Sequence, residues 1–239
     1  MKYLELTFDD PGRNLACDEA LLDWCEERKS EGILRIWQPS NYFVVLGYSN
    51  KFATEVNVNI CAERKIPILR RFTGGGTVLQ GPGCLNYSLV VKHQQGGNWQ
   101  DVTQVYALVL ERHRDLVADL TSEPVRIEGT SDLAIQGRKF SGNAQHRKHA
   151  YTLVHGSFLL NFELALLEIC LPMPSRQPAY RHGRPHGSFL KNLLRDPADL
   201  AQSLRKAWHA DEKLLEVPLG NIEELVNRRY SRADWNSRF

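Results

Sequence analysis

Arg70-Arg71-Phe72-Thr73-Gly74-Gly75-Gly76-Thr77-Val78 is the stretch on which the reading of this chain turns. An apolar strand over Ile66 to Leu69 runs into two arginines and then three consecutive glycines. Adjacent residues without a Cβ cost backbone entropy on folding, so such a run needs a reason. Either the loop requires φ values that other residues avoid, or its main chain comes close to a ligand. Two guanidiniums at the loop entrance point to a ligand carrying a carboxylate or phosphate. Taken alone, the stretch also fits a glycine-rich turn flanked by surface arginines.

On either side of this loop the hydrophobic periods are readable. Cys17, Ala20, Leu21, Trp24 and Cys25 recur at helical spacing and predict a helix over Asn14 to Glu27, with both cysteines inside. Ile33–Trp37 and Tyr42–Leu46 read as strands, and Thr54 as the cap of a helix reaching about Arg64. After the loop, Leu85, Tyr87, Leu89 and Val91 alternate as a strand, and a long helix starts at Asp101. Short strands follow at 125–127, 132–136, 139–145 and 151–161, and helices at 199–208 and 222–226 close the chain. Helices and strands are interspersed without regular β-α alternation, which predicts an α+β fold: mixed, mostly antiparallel sheets flanked by helices. The long run Pro172 to Pro185 holds too much proline for regular structure, and its arginines suggest a cover over the site or a contact with an acidic partner.

Composition narrows the class. The 239 residues are 42% hydrophobic and 24% charged, with a formal net charge of +2, which gives no electrostatic case for nucleic acid or membrane partners. No apolar run approaches the roughly 20 residues that span a bilayer, and the first residues do not form a signal peptide. The five cysteines show neither CxxC pairing nor disulfide spacing, so a reduced, cytoplasmic setting is expected. One domain over residues 1–239 is expected, with no C-terminal accessory domain.

Two further segments carry chemistry. Gly129 to Gln145 reads as a hairpin turning at Gln136-Gly137, with Lys139 opening the second arm ahead of small and amide residues. Val154-His155-Gly156-Ser157-Phe158 is a strand with a polar triplet among apolar neighbours. No GxxxxGK[ST] loop is present. His146, His149, His182 and His186 lack ligand spacing and read as solvated loop histidines.

Read in order, these segments resemble the lipoate-protein ligase catalytic domain of the biotin/lipoate ligase and octanoyltransferase superfamily. The matches are Arg71-Phe72-Thr73-Gly74-Gly75-Gly76, Ser131-Asp132-Leu133, Gly137 through Ala144, and His155-Gly156-Ser157, with Asn14 to Leu22 similar to the family's first helix. The resemblance implies that ATP, with Mg²⁺, activates the substrate lipoate to lipoyl-adenylate, and that a lysine of an acceptor lipoyl domain then takes the acyl group. Acceptors of that kind are the 2-oxoacid dehydrogenase E2 and glycine-cleavage H proteins. It implies Lys139 as the catalytic residue. The adenylate would be held by Arg71, Thr73, Gly74, Gly75, Gly76, Thr77, Val78, Leu79, Asn86, Ser131, Asp132, Ser141, Gly142, Ala144, His155, Gly156 and Ser157, with Val78 and Leu79 along the acyl tunnel. Asp132 is the candidate metal contact.

Two departures stand out. Gln80 occupies a position where many ligases carry histidine. The segment 227–236 resembles the point where larger ligases pass into an accessory domain, which leaves room for a separate accessory-domain protein as partner. The rival reading is an ATP-independent octanoyl or lipoyl transferase, which needs a thiol as acyl acceptor; Cys170 is the candidate. A second transferase branch places its thiol just before the hairpin, where 126–132 holds no cysteine. A non-catalytic binder gives no reason for keeping both Arg71 and Lys139, a regulator lacks a helix-turn-helix, and a biotin ligase lacks its own arginine-rich loop here.

Overall fold

The computed structural model describes residues 1–93 and 101–239. Strand β1 (Lys2–Glu5) leads to helix α1 (Pro11–Arg28), β2 (Ile33–Trp37), β3 (Phe43–Leu46), α2 (Phe52–Glu55), α3 (Val58–Glu63), β4 (Ile68–Arg70), β5 (Val78–Gln80) and β6 (Cys84–Lys92). Then come α4 (Val102–Thr121), β7 (Val125–Glu128), β8 (Asp132–Ile135), β9 (Arg138–Arg147), β10 (Tyr151–Leu159), α5 (Leu164–Cys170) and α6 (His186–Phe189). The chain closes through α7 (Pro197–Ala207), β11 (Glu212–Lys213), α8 (Leu219–Leu225) and α9 (Ala233–Asn236). No helix among the described residues is long and apolar enough to cross a membrane.

The class is α+β, as the interspersed pattern predicts. Eight strands form one sheet in the order β11-β1-β2-β6-β10-β9-β8-β7, and three form a smaller sheet, β4-β3-β5. β1 runs parallel to both neighbours and β3 to β4, while the central ladder β2-β6-β10-β9-β8-β7 is antiparallel throughout. One face of the large sheet packs on α4 and α7 through Leu85, Leu89, Val109, Val117, Phe158 and Leu204. The opposite face meets α1 and the small sheet at one end, and α5 and α6 at the other.

Local signals account for the boundaries. Helix α1 starts where the Asp10 carboxylate accepts from the Gly12 amide with Pro11 in the first turn, and it stops at Lys29, which is left-handed at φ 53°. Cys17 and Cys25 are fully buried in it. Asn14, Asp18 and Glu19 are buried as well, so α1 is enclosed on more than its apolar face. The helix predicted from Thr54 to Arg64 is instead two short helices. Val56 is extended between them, and Asn57, the stronger cap, accepts from the Ile60 amide at 3.4 Å. That break turns Glu55 inward, where it is buried. The β8–β9 hairpin turns on Gln136 at φ 52° and Gly137 at φ 70°, the paired left-handed residues a two-residue connection needs.

Candidate active site

Register builds the floor of the site. Asp132 pairs with Gly142, Gly142 with Ser157, Ser157 with Asn86, and Asn86 with Trp37. Paired residues project from the same face, so five strands contribute one transverse row. The next row on that face is Ala144, His155, Ser88 and Arg35. The glycine loop and β5 lie opposite, and a cavity of about 480 Å³ separates roof from floor. Arg71 and Lys139, 68 positions apart in the chain, line this one cavity. Every adenylate candidate from the sequence lines it too, except Thr73 and Gly74.

The two arginines part ways. Arg71 donates through Nε and Nη2 to the Gly74 carbonyl at 3.0 and 2.7 Å, and through Nη2 to the Gly76 carbonyl at 2.8 Å. Most of its donors therefore brace the loop, and burial draws its pKa down to about 10. Gly75 must be glycine: its φ is +92°, and a Cβ would sit 2.8 Å from Arg71 Nη2. At Gly74 and Gly76 a Cβ would meet nothing within 4 Å, so bare main chain borders open space there. Arg70 corrects the expectation of a second ligand guanidinium. It is fully buried on the other side, donating to the carbonyls of Gly47, Tyr48 and Asn50 and to those of Trp235, Asn236 and Arg238. Successive strand residues point to opposite faces, and Arg70 is the last residue of β4.

Lys139 Nζ lies 2.7 Å from Asp132 Oδ1. It reaches there across Gly142, where a Cβ would come within 2.6 Å of the ammonium. The other Asp132 oxygen accepts from the Tyr180 hydroxyl at 2.8 Å. Burial and the Asp132 charge push the Tyr180 phenol up, so it stays a donor. Tyr180 comes from the proline-rich segment, and sequence reasoning missed it because that segment has no period to read. The expected basic surface there is largely consumed internally. Arg181 is buried against Met173, and Arg184 donates to the carbonyls of Gly137 and Tyr180. Arg176 remains exposed at the cavity rim.

Behind the loop, Thr73 Oγ1 and His155 Nε2 are 2.7 Å apart, and His155 Nδ1 is 3.7 Å from Asp18. Burial opposes the Asp18 charge, but Arg35 at 2.6 Å and His155 hold its carboxyl below the ordinary range. Gly156 leaves room for Asn143 Oδ1, which would lie 2.0 Å from a Cβ. Asn143 in turn accepts from Tyr87 and donates to the Ser131 carbonyl, fixing the turn that carries Asp132.

Two of the histidines read as solvated are corrected, and Cys170 takes the buried place that its apolar run favours. Cys170 does not face the cavity: it is fully buried beside Cys61 among Leu167, Phe162 and Phe189, and burial pushes its thiol up. The cysteine on the cavity wall is Cys84, driven by burial to about 12. His186 is buried rather than solvated, next to the Pro172 carbonyl, and His146 packs on Phe72 at 4.9 Å; burial lowers both pKa values. Asp132, the candidate metal contact, is engaged by Lys139 through one oxygen and by Tyr180 through the other. No group of three or more His, Cys, Asp or Glu that could hold a metal exists among the described residues.

The model of the lipoyl protein ligase A/B catalytic domain matches residues 10–204. The octanoyltransferase LipM of Halalkalibacterium halodurans is 27% identical over 99% of this chain and 98% of its own. A lipoate-protein ligase A structure bound with ATP superposes with a TM-score of 0.83 at 22% identity, covering 99% of this chain and 98% of that one. A bipartite lipoate protein ligase from Thermoplasma acidophilum, solved in a study with its E2 lipoyl domain, gives 0.76 at 22%, covering 99% and 96%. With the family model spanning most of the sequence and the glycine loop, Lys139 strand and His-Gly-Ser strand gathered round one cavity, the chain belongs to the lipoyl protein ligase A/B catalytic domain family.

Proposed function

We propose that this protein activates a lipoate-class carboxylic acid with ATP and transfers the acyl group to a lysine of a lipoyl-domain protein of the E2 or H-protein type. One observation carries the reading: the Lys139 ammonium, held by Asp132, shares the cavity with open glycine main chain, and among the described residues no cysteine other than the buried Cys84 lines the walls. In the first step a carboxylate oxygen bonds to the α-phosphorus and the bond to pyrophosphate breaks. Backbone amides of the glycine loop and Lys139 offset the phosphoryl charge. In the second step the acceptor amine bonds to the acyl carbon, the acyl–oxygen bond breaks, AMP leaves and the amine proton passes to solvent. Neither step needs a protein nucleophile. Magnesium enters with the nucleotide substrate.

A second reading, ATP-independent octanoyl transfer, draws on relatives such as the H. halodurans octanoyltransferase, similar over nearly their whole length. Against it stands the thiol geometry: Cys170 lies outside the cavity, and Cys84 is held protonated by burial. Purified protein is incubated with an apo lipoyl domain, with lipoate and ATP in one tube and octanoyl carrier protein in the other. A mass gain in the first tube, with pyrophosphate release, is expected. A gain only in the second overturns the ligase reading.

A further inference from the structure

Gln80, Ser157 and Asn86 form a directed chain inside the cavity. Gln80 Nε2 donates to Ser157 Oγ at 2.6 Å, and the Ser157 hydroxyl donates to Asn86 Oδ1 at 2.6 Å. That direction leaves Gln80 Oε1 and Asn86 Nδ2 buried without protein partners, on residues that line the cavity. Trp37 Nε1 and Ser141 Oγ, also on cavity-lining residues, are orphaned in the same way. Asn86 and Trp37 are paired in one row of the floor and Gln80 stands on β5 opposite, so buried orphans on both sides of the cavity mark a place where a polar ligand atom completes the bonding. Asn86 is nine-tenths buried and more, so its spare amide hydrogens have no solvent to turn to.

We infer that Asn86 Nδ2 is a second oxyanion donor, aimed at the acyl carbonyl oxygen, and that Gln80 is the positioning residue that sets its orientation through Ser157. In the transverse row Ser157 stands between Gly142, over which Lys139 reaches, and Asn86. Lys139 and Asn86 therefore stand on either side of Ser157 on the cavity floor. When the acceptor amine bonds to the acyl carbon, charge collects on the carbonyl oxygen and the bond to the leaving group breaks; a fixed amide N–H there needs no rearrangement. The relay is neutral at every link. The inference rests on acyl handling in this cavity, common to the ligase and transferase readings.

The relay has a polarity that substitution can reverse. A carboxylate at 80 only accepts, so Gln80→Glu makes the Ser157 hydroxyl donate backward, draws Asn86 Nδ2 onto Ser157 Oγ and turns Asn86 Oδ1 to the ligand. Asn86→Asp keeps the direction and shape but removes the donor. Gln80→Met removes the link without reversing it. Binding of octanamide, an uncharged carbonyl probe, is measured by calorimetry, and acyl transfer in a single turnover. Gln80→Glu and Asn86→Asp each weaken octanamide binding about tenfold or more and slow the transfer step by about 10²-fold, whereas Gln80→Met loses less than either. A packing role predicts the opposite order, with Met worse than the near-isosteric Glu, and that result overturns the relay, as does octanamide binding unchanged in Asn86→Asp. The Asn86→Asp variant carries the test should Glu at 80 prevent folding. Wild-type protein that binds no C8 amide overturns the acyl reading itself, and the relay with it.

Discussion

The two faces of the large sheet are made by the same strands and do opposite work. On β10, Ser157 opens to the cavity while Phe158 packs under α4; on β6, Asn86 and Ser88 face the site while Leu85, Tyr87 and Leu89 face the core. The core face is dry enough to keep His113 uncharged, with Trp208 Nε1 donating to its Nε2 at 2.9 Å and its Nδ1 left without a partner. The site face buries ions and amides, Asp18 with Arg35 and Asn86 with Ser157, and satisfies them in chains that end at the cavity. Because the strand period is two, stability and chemistry are separable by single-residue steps.

The comparison breaks if a substitution on one face disturbs the other. The largest effect belongs to the core: Phe158→Ala, whose ring sits 5.7 Å from Tyr87 and 5.9 Å from His113, should cost about 3–5 kcal/mol in urea unfolding. Activity per folded molecule should persist. Next is Lys139→Ala, which should slow ATP–pyrophosphate exchange by about 10²–10³ with the unfolding midpoint unmoved; an unchanged rate removes its assigned role.

A third test uses pH. Burial lowers His113 to about 3 in the folded protein, below its unfolded value near 6.5. The unfolded chain therefore binds the extra proton first as pH falls. The stability that neutral His113 contributes is complete above about pH 6.5 and drains away towards pH 3, by up to about 1.4 kcal/mol per pH unit. Urea midpoints at pH 7 and pH 5 should differ less in His113→Gln, which keeps an acceptor for Trp208. The smallest effect is expected for Tyr180→Phe, which frees one Asp132 oxygen and should lower kcat a few-fold, roughly the worth of one hydrogen bond, with acceptor KM unchanged.

What the sequence exposed were features with a local signature. The three glycines, the Gln136-Gly137 turn, the Asp101 cap and the strand alternation each declare themselves within a few residues, and the ordered motifs supplied the family. What stayed hidden depends on distant partners. Nothing in Arg70-Arg71 says that one brace holds the loop and the other a segment 165 positions away. Tyr180 meets Asp132 across 48 positions, and Gln80 meets Ser157 across 77. The Asn57 cap was legible in principle, since Asn outranks Thr at a helix start, but Thr54 stood first in the chain.

Arg70 sits beside the glycine loop, and its guanidinium is held by main-chain oxygens from 47–50 and 235–238, with no carboxylate against it among the described residues. Each of those oxygens is held by the same cation, so loosening one group unsettles all. A proteolytic nick or a bulky fusion near residue 235 should therefore register at Gly74–Gly76, well before the hydrophobic layers notice. The guanidinium works as a mechanical linkage, making the integrity of the last helical turn a condition for the shape of the glycine loop.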